Sequence, residues 1–347
     1  MSLIDADIRK AQTLPSRFYT DAVLFDEIVA GFSTKWHFAA HLSQLTTLMP
    51  IDNPLSEPMV LVTSEQTLCL SNVCTHRGMI VCNSKDEKRL QCPYHGRTFN
   101  LDGTFRNMPE FDTVENFPSP ADDLPSFPLE EWKGLLFNSR TASKFDDYIS
   151  FVSERMNFLD IESFIHDEKH HREHEVNCNW ALYVENYLEG FHIPFVHADL
   201  HAALDYEGYR TELSDYGVLQ IGIAKEGEAY FDLPEGHIDE SLRVAAYYFW
   251  LYPGLMLNFY PWGLSVNLVI PEAVDRTRII YHRFTSDAEA SMSYAIDKIE
   301  AEDQFIVERV QKGMESSSYD RGRYSPKMET GPHHFHRILA DTIGHMN

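Results

Sequence analysis

Cys74-Thr75-His76-Arg77-Gly78 and, shortly after it, Cys92-Pro93-Tyr94-His95-Gly96 are the two runs on which the reading of this chain turns. The first is Cys-x-His and the second Cys-x2-His, so two neighbouring loops each offer one thiolate and one imidazole. Each histidine has a glycine close behind it. Four such side chains from two short loops are a metal-ligand set, and the pairing within each loop narrows which one.

Two cysteines on one iron and two histidines on the other is the ligation of a Rieske [2Fe–2S] centre. The exchange of ligands raises the reduction potential to about −150 to +300 mV, against about −400 mV for an all-cysteine plant-type cluster. A cluster poised there can pass single electrons onward to an oxygen-activating iron. The competing reading is a Cys2His2 zinc site. Zinc spacings, however, pair like with like, as Cys-x2–4-Cys followed by His-x3–5-His. Mixed pairing in both halves favours the cluster.

At 347 residues the chain is long enough for two domains with substantial cores. Its longest apolar runs are short; the one over 244–252 is stopped by Pro253, so no membrane span is expected. No basic segment followed by an apolar stretch opens the chain, and no signal peptide is expected. Of the five cysteines, Cys69, Cys82 and Cys178 remain after the cluster pair and suggest no disulfide framework. They read as free buried thiols in a cytoplasmic protein. The 29 basic residues against 53 acidic ones give a net charge of −24, which argues against nucleic acid as a partner. Such a surface could steer a cation or a basic redox partner, although solubility explains most of it.

Three regions follow: a helical arm over 1–33, a β domain over 34–140, and a third region over 141–347. The β domain is rich in short strands, with Val60-Leu61-Val62-Thr63, Thr67-Leu68-Cys69-Leu70 and Gly134-Leu135-Leu136-Phe137 the clearest. Asp102-Gly103 marks a hairpin turn between 97–100 and 104–106. Beyond it, 145–164 reads as helical. The stretch 166–174 holds four histidines, His166, His170, His171 and His174, which invite a metal reading. Their Asp, Glu, Lys and Arg neighbours favour a solvated strand or loop instead. From Val176 helices alternate with long strands over 242–252 and 276–284, an α+β pattern with an antiparallel sheet covered by helices.

A second metal site is suggested within this third region. The stretch 179–191 reads as a helix that Pro194 prevents from continuing, with Glu185, Glu189 and His192 on one face. His197 follows the break and can reach one ion together with His192. A mononuclear iron that binds oxygen commonly uses two histidines and one carboxylate, leaving positions open. Asp303 is the candidate carboxylate. It falls within the apolar stripe Ile296, Ile299, Ile306 and Val310 of a long helix over 287–314, where a carboxylate is costly unless paired or metal-bound. Glu300 and Glu308 read as lying on flanking or polar faces. A salt bridge to another element is the alternative role for Asp303.

With these motifs in view, the chain resembles the α subunit of a Rieske-type non-haem iron oxygenase over most of its length. The cluster runs, with Leu101-Asp102-Gly103, resemble that family's cluster domain. Glu185-Asn186-Tyr187-Leu188-Glu189-Gly190-Phe191-His192-Ile193-Pro194-Phe195-Val196-His197 resembles its iron-binding stretch. Glu302-Asp303, then Gln311-Lys312-Gly313, resembles the segment with the third ligand. The resemblance implies that Cys74, His76, Cys92 and His95 hold [2Fe–2S], that His192, His197 and Asp303 hold a mononuclear Fe(II), and that Glu189 is the bridge connecting the iron site to a cluster histidine of a neighbouring subunit. Glu stands where ring-dihydroxylating members typically have Asp, which resembles the choline, carnitine and glycine-betaine branch. Arg97 stands where many members carry Trp. The implied fold is a Rieske β domain plus a helix-grip catalytic domain, assembled as a head-to-tail homotrimer.

The aromatic runs 247–252 and 259–262 could hold a quaternary ammonium by cation–π attraction, an arene, or simply a β core. The expected chemistry is O2-dependent hydroxylation or oxidative demethylation of a small substrate. Electrons would come from a separate NAD(P)H-dependent reductase or ferredoxin, since no Gly-x-Gly-x-x-Gly links a strand to a helix here. An arene-dihydroxylating dioxygenase is the alternative. An electron carrier with a binding domain is a further one, against which the second metal site speaks.

Overall fold

A computed structural model describes residues 3–55, 57–141, 144–199, 205, 207–286 and 293–344. The chain divides into two compact units. One is Ser33–Phe145; the other combines Met1–Phe32 with Asp146–Asn347. The N-terminal segment is therefore part of the larger unit.

The smaller unit is built from β1 (His37–His41), β2 (Leu48–Ile51), β3 (Met59–Thr63), β4 (Thr67–Ser71), β5 (Thr98–Phe99), β6 (Phe105–Asn107), β7 (Ser126–Phe127), β8 (Leu129–Trp132) and β9 (Leu135–Asn138). They form antiparallel sheets ordered β1-β9-β8 and β2-β3-β4-β7, with β5-β6 as a separate hairpin. Strand β3 explains why the sequence reads as apolar throughout: residues 59–62 are all buried. Alternate side chains face opposite ways, so Val60 and Val62 enter one core while Met59 and Leu61 enter another. Cys74 and Cys92 belong to the first of these cores. The hairpin turns at Asp102-Gly103, where Asp102 accepts from the Thr104 amide and hydroxyl at 2.9 and 2.6 Å.

The larger unit carries α1 (Ala22–Ala30), α2 (Phe145–Met156), α3 (Trp180–Tyr187), α4 (Ile193–Val196), α5 (Ser293–Met314) and α6 (Thr330–Gly344). Its strands are β10 (Ile165–His166), β11 (Arg172–Val176), β12 (Arg210–Ser214), β13 (Gly217–Ile223), β14 (Val244–Leu251), β15 (Leu255–Tyr260), β16 (Gly263–Ala273) and β17 (Arg276–Thr285). Among the described residues these make one antiparallel sheet, ordered β10-β17-β16-β15-β14-β13-β12, with β11 also on β17. Tyr247, Phe249, Trp250 and Phe259 are fully buried in it, so much of the aromatic run serves the core. Tyr19 ties the N-terminal segment in. Its hydroxyl donates to Glu185 at 2.7 Å, and the same carboxylate oxygen lies 2.9 Å from His336 Nε2.

Several expectations need correcting. The helix expected over 179–191 ends at Tyr187, and Pro194 lies in the first turn of the separate α4, where its missing amide costs nothing. Glu185 does not share a face with His192 but is held by Tyr19 and His336. The helical reading of 145–164 holds to Met156, after which the chain turns into β10. In α5, Val310 is exposed while Val307 and Gln311 are buried. The inward face thus runs 300–303–307–311, so Asp303 is on it, though not for the apolar stripe expected. Of the helix expected over 287–314, residues 287–292 lie outside the described residues, as does the side chain of Ile296.

Candidate metal centres

The two cysteine loops share one backbone design. In the first, the Cys74 amide donates to the Met79 carbonyl at 2.8 Å and the Gly78 amide to the Cys74 carbonyl at 2.9 Å; in the second, Cys92 donates to Arg97 at 2.8 Å and Gly96 to Cys92 at 3.0 Å. Antiparallel bridges close both loops, Val73 with Ile80 and Gln91 with Thr98. Gly78 and Gly96 sit at φ +72° and +74°, where a side chain is strained. The loops are thus copies, although the histidine stands one position later in the second. The His76 and His95 rings lie 4.8 Å apart between centroids, beside two buried cysteines. Burial raises the Cys74 thiol, and so does its neighbour Cys92. Burial, then His95, Arg97 and Arg77, lower the pKa of His76 toward the neutral form. His95 Nδ1 is buried without a hydrogen-bond partner. Paired buried thiols, adjoining imidazoles and an orphaned ring nitrogen fit a cluster with this donor set.

Arg97 binds the loops together. It is 2% exposed and donates to Thr75 Oγ1 at 2.6 Å and to Asp122 Oδ1 at 2.9 Å. Its guanidinium carbon lies 5.2, 5.9 and 5.3 Å from the ring centroids of Phe105, Phe111 and Phe117. These rings hold the guanidinium by cation–π attraction, and Asp122 meets its charge.

In the larger unit His192, His197 and Asp303 come together, with one ligand atom of each within 4.8 Å of the others. Asp303 Oδ1 is 3.0 Å from His197 Nε2 and 3.6 Å from His192 Nε2. Behind each histidine stands a carboxylate. His192 Nδ1 faces Glu189 at 2.7 Å, and His197 Nδ1 faces Glu302 at 2.8 Å. Such partners fix the tautomer and leave the opposite nitrogen for a metal. Glu189 is itself fixed, because it accepts the backbone amides of Phe191 and His192. Gly190 beside it admits the Tyr209 ring, which a Cβ would approach to 3.2 Å. Asn186 donates to Asp303 at 2.7 Å. Burial would lower His197, but Asp303 and Glu302 outweigh it and raise its pKa. Two aligned imidazoles and one carboxylate fit an open-sided mononuclear iron.

Two neighbours were not assigned a place from sequence, and a third was placed on the wrong face. Glu302 adjoins Asp303 but gave no sign of pairing with His197. Asn186 is a poor helix former inside α3, which is a usable signal. Glu300, expected on a flanking face, turns inward and accepts from Tyr281 and Tyr183 at 2.5 and 2.8 Å. Its spacing of three from Asp303 puts both on one side of the helix. Burial and Asp303 push its pKa up to about 7. Glu308, by contrast, caps Asn177 at the surface.

Comparison with known proteins gives these centres a family. The "Ring hydroxylating alpha subunit (catalytic domain)" family matches residues 163–345, and the "Rieske [2Fe-2S] domain" matches residues 35–118. The chain belongs to the ring-hydroxylating oxygenase α-subunit family. It is a Rieske non-haem iron oxygenase, with a [2Fe–2S] cluster and a mononuclear iron as cofactors. The carnitine monooxygenase oxygenase subunit of Escherichia coli (strain K12) is 29% identical, over 97% of this chain and 96% of its own. The chloroplastic choline monooxygenase of Beta vulgaris is 26% identical, over 96% and 77%. A solved quaternary ammonium Rieske monooxygenase, studied for carnitine oxidation by gut microbiota, superposes with a TM-score of 0.85 at 24% identity, over 97% of both chains. This likeness bears out the expected α+β architecture of Rieske domain plus catalytic domain. Among the described residues no helix is long and apolar enough to cross a membrane.

Proposed function

We propose that this chain is the oxygenase component of a monooxygenase that hydroxylates or oxidatively demethylates a small quaternary ammonium compound. In this reading Cys74, His76, Cys92 and His95 hold the cluster, and His192, His197 and Asp303 hold the iron. One observation carries the substrate class. Half-buried tyrosines, Tyr187, Tyr209, Tyr248 and Tyr260, gather near the iron site, with Glu300 close enough to influence Tyr187 and Tyr260. The Tyr248 and Tyr260 rings are 5.8 Å apart, and Tyr260 stacks on Trp262 at 4.9 Å. Aromatic faces and one carboxylate suit a permanent cation, whereas an arene gains nothing from Glu300. The names of the choline and carnitine relatives support the same class.

When bound, the cluster would supply single electrons and the mononuclear iron would supply oxygen activation. Two electrons from a separate reductase or ferredoxin, with two protons, leave one atom of O2 in a C–H bond and the other in water. When the hydroxylated carbon bears the nitrogen, its C–N bond breaks to an aldehyde and a tertiary amine, and the hydroxyl proton passes to solvent. Asp303 and the two histidines hold the metal, while Glu302 and Asn186 keep His197 and Asp303 aligned. Glu189 orients His192 and would stand as the bridge between the iron site and a cluster held by a neighbouring subunit of a head-to-tail homotrimer. Cys69, Cys82 and Cys178, the buried thiols left over, suit a reducing, cytoplasmic setting.

Oxygen uptake with a surrogate reductase, measured against betaines, carnitine, choline and simple arenes, tests the substrate class. Coupled uptake with a quaternary ammonium compound is the expected result. Turnover of arenes alone, with cis-diol product, would replace this reading by that of a dioxygenase.

A further inference from the structure

The histidine-rich stretch is not the uniform solvated segment that its charges suggest. His170 turns back to Asp167 at 2.6 Å, and His174 packs on Tyr281. His166 and His171 instead converge on His282, which lies far along the chain in β17. One ring nitrogen of each lies within 4.8 Å of the others. The His171 and His282 rings are 4.9 Å apart, and those of His166 and His282 5.5 Å.

The backbone accounts for this convergence. Strand β10 pairs with Phe284 and Thr285, and β11 pairs with residues from Tyr281 back to Thr277. The Asp167 amide still donates to the Arg283 carbonyl at 2.8 Å, so His282 faces the break in the ladder, where the short turn Glu168–His170 swings outward. His282 points into that break, with His166 at one rim and His171 at the other. Tyr281, its neighbour, faces α3 through Tyr183, so the three imidazoles lie on the opposite side of the strand from the iron site. The nearby cation Arg283 is engaged by Asp167 at 3.7 Å and by the Trp262 ring at 4.5 Å. All three histidines are half-buried and so within reach of solvent ions. His171 Nδ1 is buried without a hydrogen-bond partner. Burial, His171 and His166 lower the pKa of His282, toward the neutral form that binds metal.

We propose that His166, His171 and His282 form a further metal site, for a borderline transition ion such as zinc(II), that staples the broken edge of the sheet. Three imidazoles and one open position are a familiar zinc arrangement, with Zn–N distances of about 2.0–2.1 Å. The site is separate in residues and in role from the two iron centres.

The test uses the enzyme with its cluster and mononuclear iron loaded, equilibrated with zinc(II) alone, desalted, and analysed for zinc and iron together. One zinc per chain is expected, with no loss of iron and no change in the cluster spectrum. His282→Ala and His171→Asn should each weaken zinc binding by more than roughly 100-fold, since even an outer-shell partner is worth about 10–100-fold. His170→Ala should leave it unchanged. His171 lies on the turn, so its variant gives the answer if the β17 variant fails to fold. Zinc should also raise the thermal midpoint of the parent enzyme but not of His171→Asn. Zinc uptake matched by iron loss, equal affinity in every variant, or no uptake would each overturn the proposal. None of these outcomes depends on which substrate the enzyme oxidises.

Discussion

On the assignments proposed above, the two iron centres are assembled by opposite strategies. The cluster loops repeat one turn, each closing a cysteine amide on a carbonyl five residues ahead and each sealed by a bridge. All four proposed ligands come from two short runs in one small β unit. The mononuclear site instead joins a loop-and-turn segment, His192 and His197, to Asp303 on a distant helix, and depends on Glu189, Glu302 and Asn186 to hold the three in line. A locally encoded site can be loaded wherever its own unit folds. A site gathered across the fold exists only when α3, α4 and α5 are in register.

If this contrast is right, the centres should fail independently. The largest effect expected is complete loss of turnover in His197→Ala or Asp303→Ala, with mononuclear iron gone and the Rieske EPR signal intact. His95→Ala should give the reverse, with the EPR signal lost and mononuclear iron retained. Metal analysis and EPR on the same samples check both. Loss of both centres in either variant would mean that the units are not autonomous. Colourless protein with stoichiometric zinc in the cysteine loops would restore the zinc reading of those ligands.

The next effect concerns how each centre is braced. Asp122→Ala should leave Arg97 buried without its counter-charge, at a cost of about 3–5 kcal/mol. Denaturation followed by cluster bleaching should show this loss while mononuclear iron content is unchanged in native protein.

Glu189→Gln sharpens the comparison from the other side. Both centres should load, yet a prereduced cluster should oxidise roughly 10–100-fold more slowly in single turnover with substrate and O2. Unchanged oxidation, or full activity in a monomer by sedimentation, would remove the inter-subunit bridge. Glu302→Gln should act more mildly, lowering iron affinity by about tenfold without altering the cluster, as iron titration would show.

The smallest effect is a pH dependence. Glu300 has its pKa raised to about 7, so it loses its charge as pH falls through that value. An anionic partner for a cationic substrate is therefore present above the pKa and absent below it. KM for a quaternary ammonium should rise a few-fold as pH falls below about 7, and Glu300→Gln should flatten the profile. Bound iron, itself a cation, should move the midpoint downward.

The same contrast explains what could be read in advance. Cysteine and histidine spacing carried the cluster because its geometry is a local turn, and strands such as β3 and β17 were legible from β-forming runs. The end of α3 was not, because Leu188 and Glu189 carry no breaker. The turn there is made by Glu189 accepting two backbone amides, a tertiary-scale detail. Asp303 was singled out by an apolar stripe that the helix does not use. Its real face is Glu300, Asp303, Val307 and Gln311, and three of these four are polar, which periodicity of apolar residues cannot detect. His282 was invisible as a partner of His166 because only the sheet register brings them together.

The order in which the ribosome makes this chain has a consequence of its own. The cluster-bearing unit is inserted within the other, so it is complete when residue 145 has emerged. By then the larger unit has only its first 32 residues. Tyr19 cannot settle until both Glu185 and His336 exist. At about 5–20 residues per second, that wait lasts roughly ten to forty seconds. For that interval the unit 33–145 can already fold while the segment around Tyr19 lacks its partners Glu185 and His336. A chaperone or protease meeting the chain then would find the segment before residue 33 and the growing stretch after 145, rather than the cluster-bearing unit, as its points of attack.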